Sequence, residues 1–92
     1  MVSRTVTIIN TLGIHARAAA RFVHAAAAFQ SRITVTRGAR TVDGKSILGI
    51  LLLAAARGSD ITVAADGPDE APALEALCHL IESGFDEGAW KS

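Results

Sequence analysis

A chain of 92 residues and 9.5 kDa holds a single domain, 1–92, and half of its residues are hydrophobic; eighteen of those are alanine and only four are Phe or Trp, so a thin, closely packed core with no internal cofactor is expected. One cysteine, Cys78, excludes an internal disulfide framework and fits a reducing compartment, and with three scattered histidines it offers no metal-ligand spacing. Residues 47–56 are too short to cross a bilayer and the N-terminus lacks a signal-peptide pattern, so a cytoplasmic protein without membrane insertion is expected, while a net charge of zero argues against non-specific nucleic-acid binding.

Residues 4–9 (RTVTII) alternate threonine with Val6 and Ile8 and predict a half-buried strand. Residues 10–14 (NTLGI) form a loop in which Gly13 can supply a positive φ. Residues 16–29 (ARAAARFVHAAAAF) predict a helix, with Phe22, Val23 and Phe29 near one stripe and alanine elsewhere permitting close approach to a sheet. Residues 32–37 (RITVTR) alternate again, and Gly38 turns the chain into a short strand, 40–42, to make a hairpin. Asp43-Gly44-Lys45 predicts a turn, Ser46 an N-cap, and 47–56 a second helix. Residues 60–65 (DITVAA) predict the last strand. A third helix opens from the Asp66–Glu70 region and runs to about Ser83. Acids in its first turn suit the helix dipole; Leu74, Leu77, Cys78 and Ile81 form a core stripe, and Gly84 suits the C′ position. Residues 85–92 are expected to be a partly ordered tail. The order β-α-β-β-α-β-α predicts an α+β fold, a four-stranded antiparallel sheet with three helices on one face.

Charge is unevenly placed. Residues 1–42 hold six arginines and no acid, whereas eight acids face only Arg57 and Lys91 after Ser46. One surface is therefore suited to an anion or an acidic partner, unless the two halves neutralise each other in the fold. In Gly13-Ile14-His15-Ala16-Arg17, His15 stands at the loop–helix junction where Ser, Thr, Asp or Asn is the usual cap. Arg17 and Arg21 put two cations into the first two turns with no carboxylate nearby in sequence. That sign opposes the helix dipole and costs about 0.3–1 kcal/mol each if exposed. Open backbone N–H groups beside Arg17 make an anion site with an imidazole next to it. Uncharged imidazole is nucleophilic, and N-phosphoryl bonds transfer onward readily. One arginine contact to such a group at roughly 4 Å is worth ~1 kcal/mol in water and ~4 kcal/mol at a half-shielded surface, which holds a phosphoryl group without trapping it. His24 and His79 read as ordinary helix residues, and Cys78 as packing.

The run Gly13 to Ala19 (GIHARAA) resembles the active-site signature of the HPr family, the histidine-containing phosphocarrier proteins of the bacterial phosphoenolpyruvate-dependent phosphotransferase system. Lys45-Ser46-Ile47-Leu48-Gly49 resembles that family's second signature, around a regulatory serine. Length and element order agree as well, so the resemblance covers nearly the whole chain and implies an open-faced β-sandwich. It implies that Enzyme I, charged by phosphoenolpyruvate, passes a phosphoryl group to Nδ1 of His15, with Arg17 and the Ala16 and Arg17 amides around its oxygens. His15 then donates it to a histidine or cysteine on EIIA-type sugar-permease domains or regulatory components. The carrier is thus a stoichiometric intermediate and not an enzyme, it is expected to be a monomer, and an HPr kinase/phosphorylase is the implied partner of Ser46. The family commonly has proline where this chain has Ala18, so a somewhat looser helix start is expected.

Residues 47–53 (ILGILLL) leave almost no polar face, and a domain of this size cannot surround such a helix. Ile47, Leu48, Gly49, Leu51 and Leu52 are expected to form a docking patch for partners beside an Arg17 and Arg21 rim; full burial in the core is the alternative. Gly49 costs ~1 kcal/mol inside a helix and fits a close approach, either of a partner's backbone or of the protein's own sheet. A phosphate on Ser46 would repel acidic partners from the patch. Two further readings stay open. A small-molecule-sensing α+β regulatory domain would keep its ligand without His15, and a purely structural domain would use only the leucines. Within the family, residues 80–86 (LIESGFD) are similar to a nitrogen-regulatory paralogue, while Lys45 to Gly49 is closer to the sugar-transport type, which is favoured.

Overall fold

In the computed structural model the described residues, 1–89, run β1 (Val2–Thr7), α1 (Ala16–Ala27), β2 (Arg32–Arg37), β3 (Arg40–Asp43), α2 (Ile47–Leu52), β4 (Asp60–Asp66) and α3 (Glu70–Glu82), then a short 3₁₀ segment, Gly84–Ala89. The strands form one sheet in the order β1-β4-β2-β3 with every neighbouring pair antiparallel. Alternation sorts the sheet's two faces as the sequence predicts. Val6, Ile33, Val35, Ile61, Val63 and Ala65 are buried under the helices. On the other face threonines meet across strands, Thr5 with Thr62 at 2.9 Å and Thr36 with Thr41 at 2.8 Å. From α1 the core receives Ala18, Ala19, Phe22 and Ala26, so the alanine-rich helix does lie close to its neighbours; α3 delivers Leu74, Leu77, Cys78 and Ile81. Burial pushes the Cys78 thiol above its ordinary pKa, in keeping with a packing role.

Strand β1 (Val2–Thr7 against 4–9), α1 (ending at Ala27 against 29) and α2 differ most from the sequence prediction; β3 and β4 each run one residue longer, and α3 opens within the region predicted. At β1 and α2 distant residues take the backbone groups at the element's end. Strand β1 ends at Thr7: Ile8 donates its N–H to the Ser59 carbonyl (2.8 Å) and accepts from Gly58 (2.7 Å), outside the ladder register. Helix α2 stops at Leu52 and not at Ala56, because Arg37 donates to the Leu53 carbonyl (3.1 Å) and Arg40 to the Leu52 carbonyl (3.2 Å), and Ala54 turns left-handed at φ 51°. Helix α3 begins at Glu70, and Asp69 makes no side-chain bond to it; its carboxylate accepts instead from the Gln30 amide (2.9 Å), the Ser31 amide (2.9 Å) and the Ser31 hydroxyl. The Ser31 hydroxyl, then the Gln30 amide, hold the Asp69 carboxyl below the usual carboxylate range.

That clamp joins the end of α1 to the start of α3 and makes stability depend on pH. Because the folded pKa lies below the unfolded one, the contribution is complete above pH ~4 and fades as pH falls through the folded value. Asp69→Asn replaces one acceptor oxygen by a donor facing N–H groups. Its melting temperature is expected to lie well below wild type at pH 7 and to converge with it in strong acid; parallel pH curves for the two proteins would sink the assignment.

Phe85, expected in the tail, is fully buried in the core, and Asp86 is bonded to Arg21 and Ser83. The part of the expected tail at 90–92 lies outside the described residues.

Candidate functional site

The loop before α1 is pinned at both edges. Asn10 donates from Nδ2 to the Gly13 carbonyl (2.7 Å), Gly13 returns its N–H to the Asn10 carbonyl (3.1 Å), and Ile14 donates to the Ala55 carbonyl (2.9 Å). Gly13 sits at φ 65° with the Ala55 carbonyl oxygen 2.7 Å from where a Cβ would stand, so only glycine fits both conformation and space. This holds His15 at the N-cap of α1 with extended backbone, φ −107° and ψ −178°, its carbonyl accepting from Ala19 at 2.9 Å. The imidazole itself takes the capping role that Ser, Thr, Asp or Asn usually fills: Nδ1 accepts from the Arg17 amide at 3.3 Å, so that amide, expected open from the sequence, is engaged. The Nδ1 lone pair therefore points at the N-terminal N–H groups of α1, on a ring that is only partly buried. No acid lies in the first turn of this helix.

Arg17 and Arg21 are both exposed and line one groove of about 500 Å³ with Ala20, His24, Ala25 and Leu80. The carboxylate missing from their sequence neighbourhood arrives from far along the chain, with Arg21 donating to Asp86 at 3.2 Å. Phe85, a large aromatic placed among Gly84, Asp86 and Glu87, was the available signal that this segment folds back.

Helix α2 divides as a half-covered helix should. Ile50 is buried and Leu51 partly so, while Leu48 (67% exposed), Leu52 (53%) and Ile47 (45%) face outward, so the patch exists and the fully buried alternative fails. Gly49 is explained from within: a Cβ there would stand 3.3 Å from Val42 and 3.4 Å from the Asp43 carbonyl, so the close approach is to β3 of the same chain. Ser46 Oγ accepts from the Gly49 amide at 3.0 Å as the N-cap of α2, and Lys45 Nζ donates to the Phe29 carbonyl at 2.7 Å. Leu12, in the His15 loop and 70% exposed, belongs to the same kind of surface and was passed over because a single loop leucine carries no periodicity. Among the described residues no cluster of three or more His, Cys, Asp or Glu side chains could hold a metal, and no helix is long and apolar enough to cross a membrane.

Solved structures share this architecture: HPr-C-His from Thermoanaerobacter tengcongensis superposes with a TM-score of 0.91 at 44% identity, covering 95% of this chain and 98% of that one. The phosphocarrier protein HPr from Bacillus anthracis gives 0.84 at 40% identity over 87% and 95%. The fold thus places the chain among phosphocarrier proteins of the HPr type. A family model described as "PTS HPr component phosphorylation site" matches residues 2–83, and the phosphocarrier protein HPr of Cupriavidus necator is 49% identical over 88 residues, 96% of this chain and 99% of that protein. The chain belongs to the HPr family of the phosphotransferase system. Another solved relative, from T. tengcongensis, is described as an HPr dimer (TM-score 0.76, 44% identity, 95% and 100% covered), so membership does not establish the expected monomer.

Proposed function

We propose that His15 is the phosphoryl acceptor and donor of a phosphotransferase-system carrier, charged by phospho-Enzyme I and discharged onto EIIA-type or regulatory components. The observation that carries the reading is the bond from the Arg17 amide to Nδ1. The lone pair that would attack phosphorus is already oriented, and the N–H that holds it would be released to a phosphoryl oxygen when the new bond forms. In the transfer, Nδ1 attacks phosphorus as the donor's P–N bond breaks; the donor imidazole leaves with the electron pair, and the proton on Nε2 stays in place. Arg17 and the Ala16 and Arg17 amides stabilise the roughly dianionic group. Little more is needed, since phosphoryl transfer is mostly positioning and charge stabilisation. The chain acts stoichiometrically, and Ile47, Leu48 and Leu52 with the Arg17–Arg21 groove supply the docking surface. Incubation with Enzyme I and radiolabelled phosphoenolpyruvate tests this: label on His15 that is lost in acid and kept in alkali is expected. No label, or label of acid-stable serine type, overturns it.

Ser46 is proposed as a regulatory phosphorylation site for a dedicated kinase/phosphorylase. Its N-cap position supports this, because a dianion at a helix N-terminus is tolerated locally while repelling acidic partners from the adjoining leucines. Ser46→Asp keeps a good capping side chain. It is expected to raise the KM for phospho-Enzyme I on the order of tenfold, equivalent to ~1.4 kcal/mol of docking, with an unchanged melting temperature. Unaltered transfer kinetics would count against it.

A further inference from the structure

The Gly84–Ala89 segment, which follows the region matched by the family model, carries a negative charge onto the docking face. Asp86 uses both carboxylate oxygens within the chain: Oδ2 accepts from Arg21 Nη2 at 3.2 Å and Oδ1 from the Ser83 hydroxyl at 3.1 Å. The backbone reaches this position through two consecutive left-handed residues, Phe85 (φ 58°, ψ 27°) and Asp86 (φ 56°, ψ 33°), a conformation L-residues rarely hold. It persists because Phe85 is locked in the core. The side chain so positioned stays 47% exposed beside an Arg21 that is 42% exposed, and Arg21 shares its groove with Arg17. Anchoring is supplied by Phe85; what Asp86 adds is charge, and it adds it at the cationic rim.

We propose that Asp86 is an intramolecular counter-ion that competes with partner carboxylates for Arg21 and thereby sets how tightly acidic partners dock. The inference rests on the reading of this face as the carrier's docking surface. A partner carboxylate that reaches Arg21 Nη2 competes with Asp86 for it, exchanging one ion pair for another. Without Asp86 the same approach meets one competitor fewer at Arg21. Rim charges act mainly on encounter rate and salt dependence, and a half-exposed pair has a modest effect, so a several-fold change is expected and not one of many orders.

The test is Asp86→Asn in the full chain, assayed with phospho-Enzyme I across a salt series. The KM should fall about three- to tenfold at low salt and the gain should vanish near ~1 M salt, where the Debye length is about 3 Å, with kcat unchanged. Arg21→Gln should raise KM, and adding Asp86→Asn to it should change nothing further. If Asp86 merely pins the turn, Asp86→Asn lowers the melting temperature while KM stays level or rises, whether or not Arg21 is present. That result overturns the proposal, as does an equal KM in Asp86→Asn and wild type. Wild-type protein that takes no label from Enzyme I overturns the functional reading and this inference together; normal labelling with an unmoved KM overturns this inference alone.

Discussion

His15→Asn is expected to abolish phosphoryl acceptance completely while leaving the protein as stable as wild type or more so. The imidazole has two jobs that this substitution separates. As an N-cap it accepts from the Arg17 amide at 3.3 Å, a long bond that asparagine, one of the best capping residues, can replace. As a nucleophile it offers the Nδ1 lone pair, which asparagine lacks. His15→Ala removes both and should lose all labelling together with about 0.5–1 kcal/mol of stability, toward the lower end of the range for cap deletion. Labelling from phospho-Enzyme I and thermal melts of the three proteins check both halves. Residual label of the acid-labile type in either variant would move the acceptor to another histidine. Retained binding of a small ligand with no labelling of wild type would favour the sensing-domain alternative.

Gly13→Ala is expected to damage fold and transfer together. At φ 65° an alanine costs ~1–2 kcal/mol in backbone conformation alone. Its Cβ would also stand 2.7 Å from the Ala55 carbonyl oxygen and 2.9 Å from the Ala56 Cα, backbone atoms that can yield only by moving the chain. Such overpacking adds about 1–3 kcal/mol, so a loss of roughly 2–5 kcal/mol and a melting temperature lower by ~10 °C or more follow. Gly38 supplies the control. Its φ is 59° and nothing stands within 4 Å of an added Cβ, so Gly38→Ala should show the conformational part only. The loop that Gly13 shapes also carries His15, and a displacement of about 1 Å at the reacting atom costs on the order of 100-fold in rate. Phosphorylation should therefore slow in Gly13→Ala and not in Gly38→Ala. Equal melting temperatures for the two variants would show that the contact with residues 55–56 relaxes at no cost.

Much of this molecule is local in origin and was legible from the chain. Alternation in 32–37 and 60–65, the alanine-rich run after His15 and the Leu74–Ile81 stripe each follow from a period of two or 3.6, which neighbours in sequence define without help. The place of His15 at the start of its helix was legible for the same reason, though not that its imidazole takes the Arg17 amide; the exposed leucines of α2 followed from an apolar helix too large for the domain to cover. What the tertiary structure decided lies where one backbone or charged group meets another far along the chain. Arg37 and Arg40 end α2 early from 16 and 12 residues away. Asp69, placed like a helix cap, bonds Gln30 and Ser31 some 39 and 38 residues earlier. Phe85 and Asp86, which look like the start of a loose ending, close on the core and on Arg21 across 65 residues. No periodicity records such meetings. A charged or polar side chain bonds whichever unsatisfied group the fold brings within about 3 Å, and only the packed sheet and helices determine which group that is.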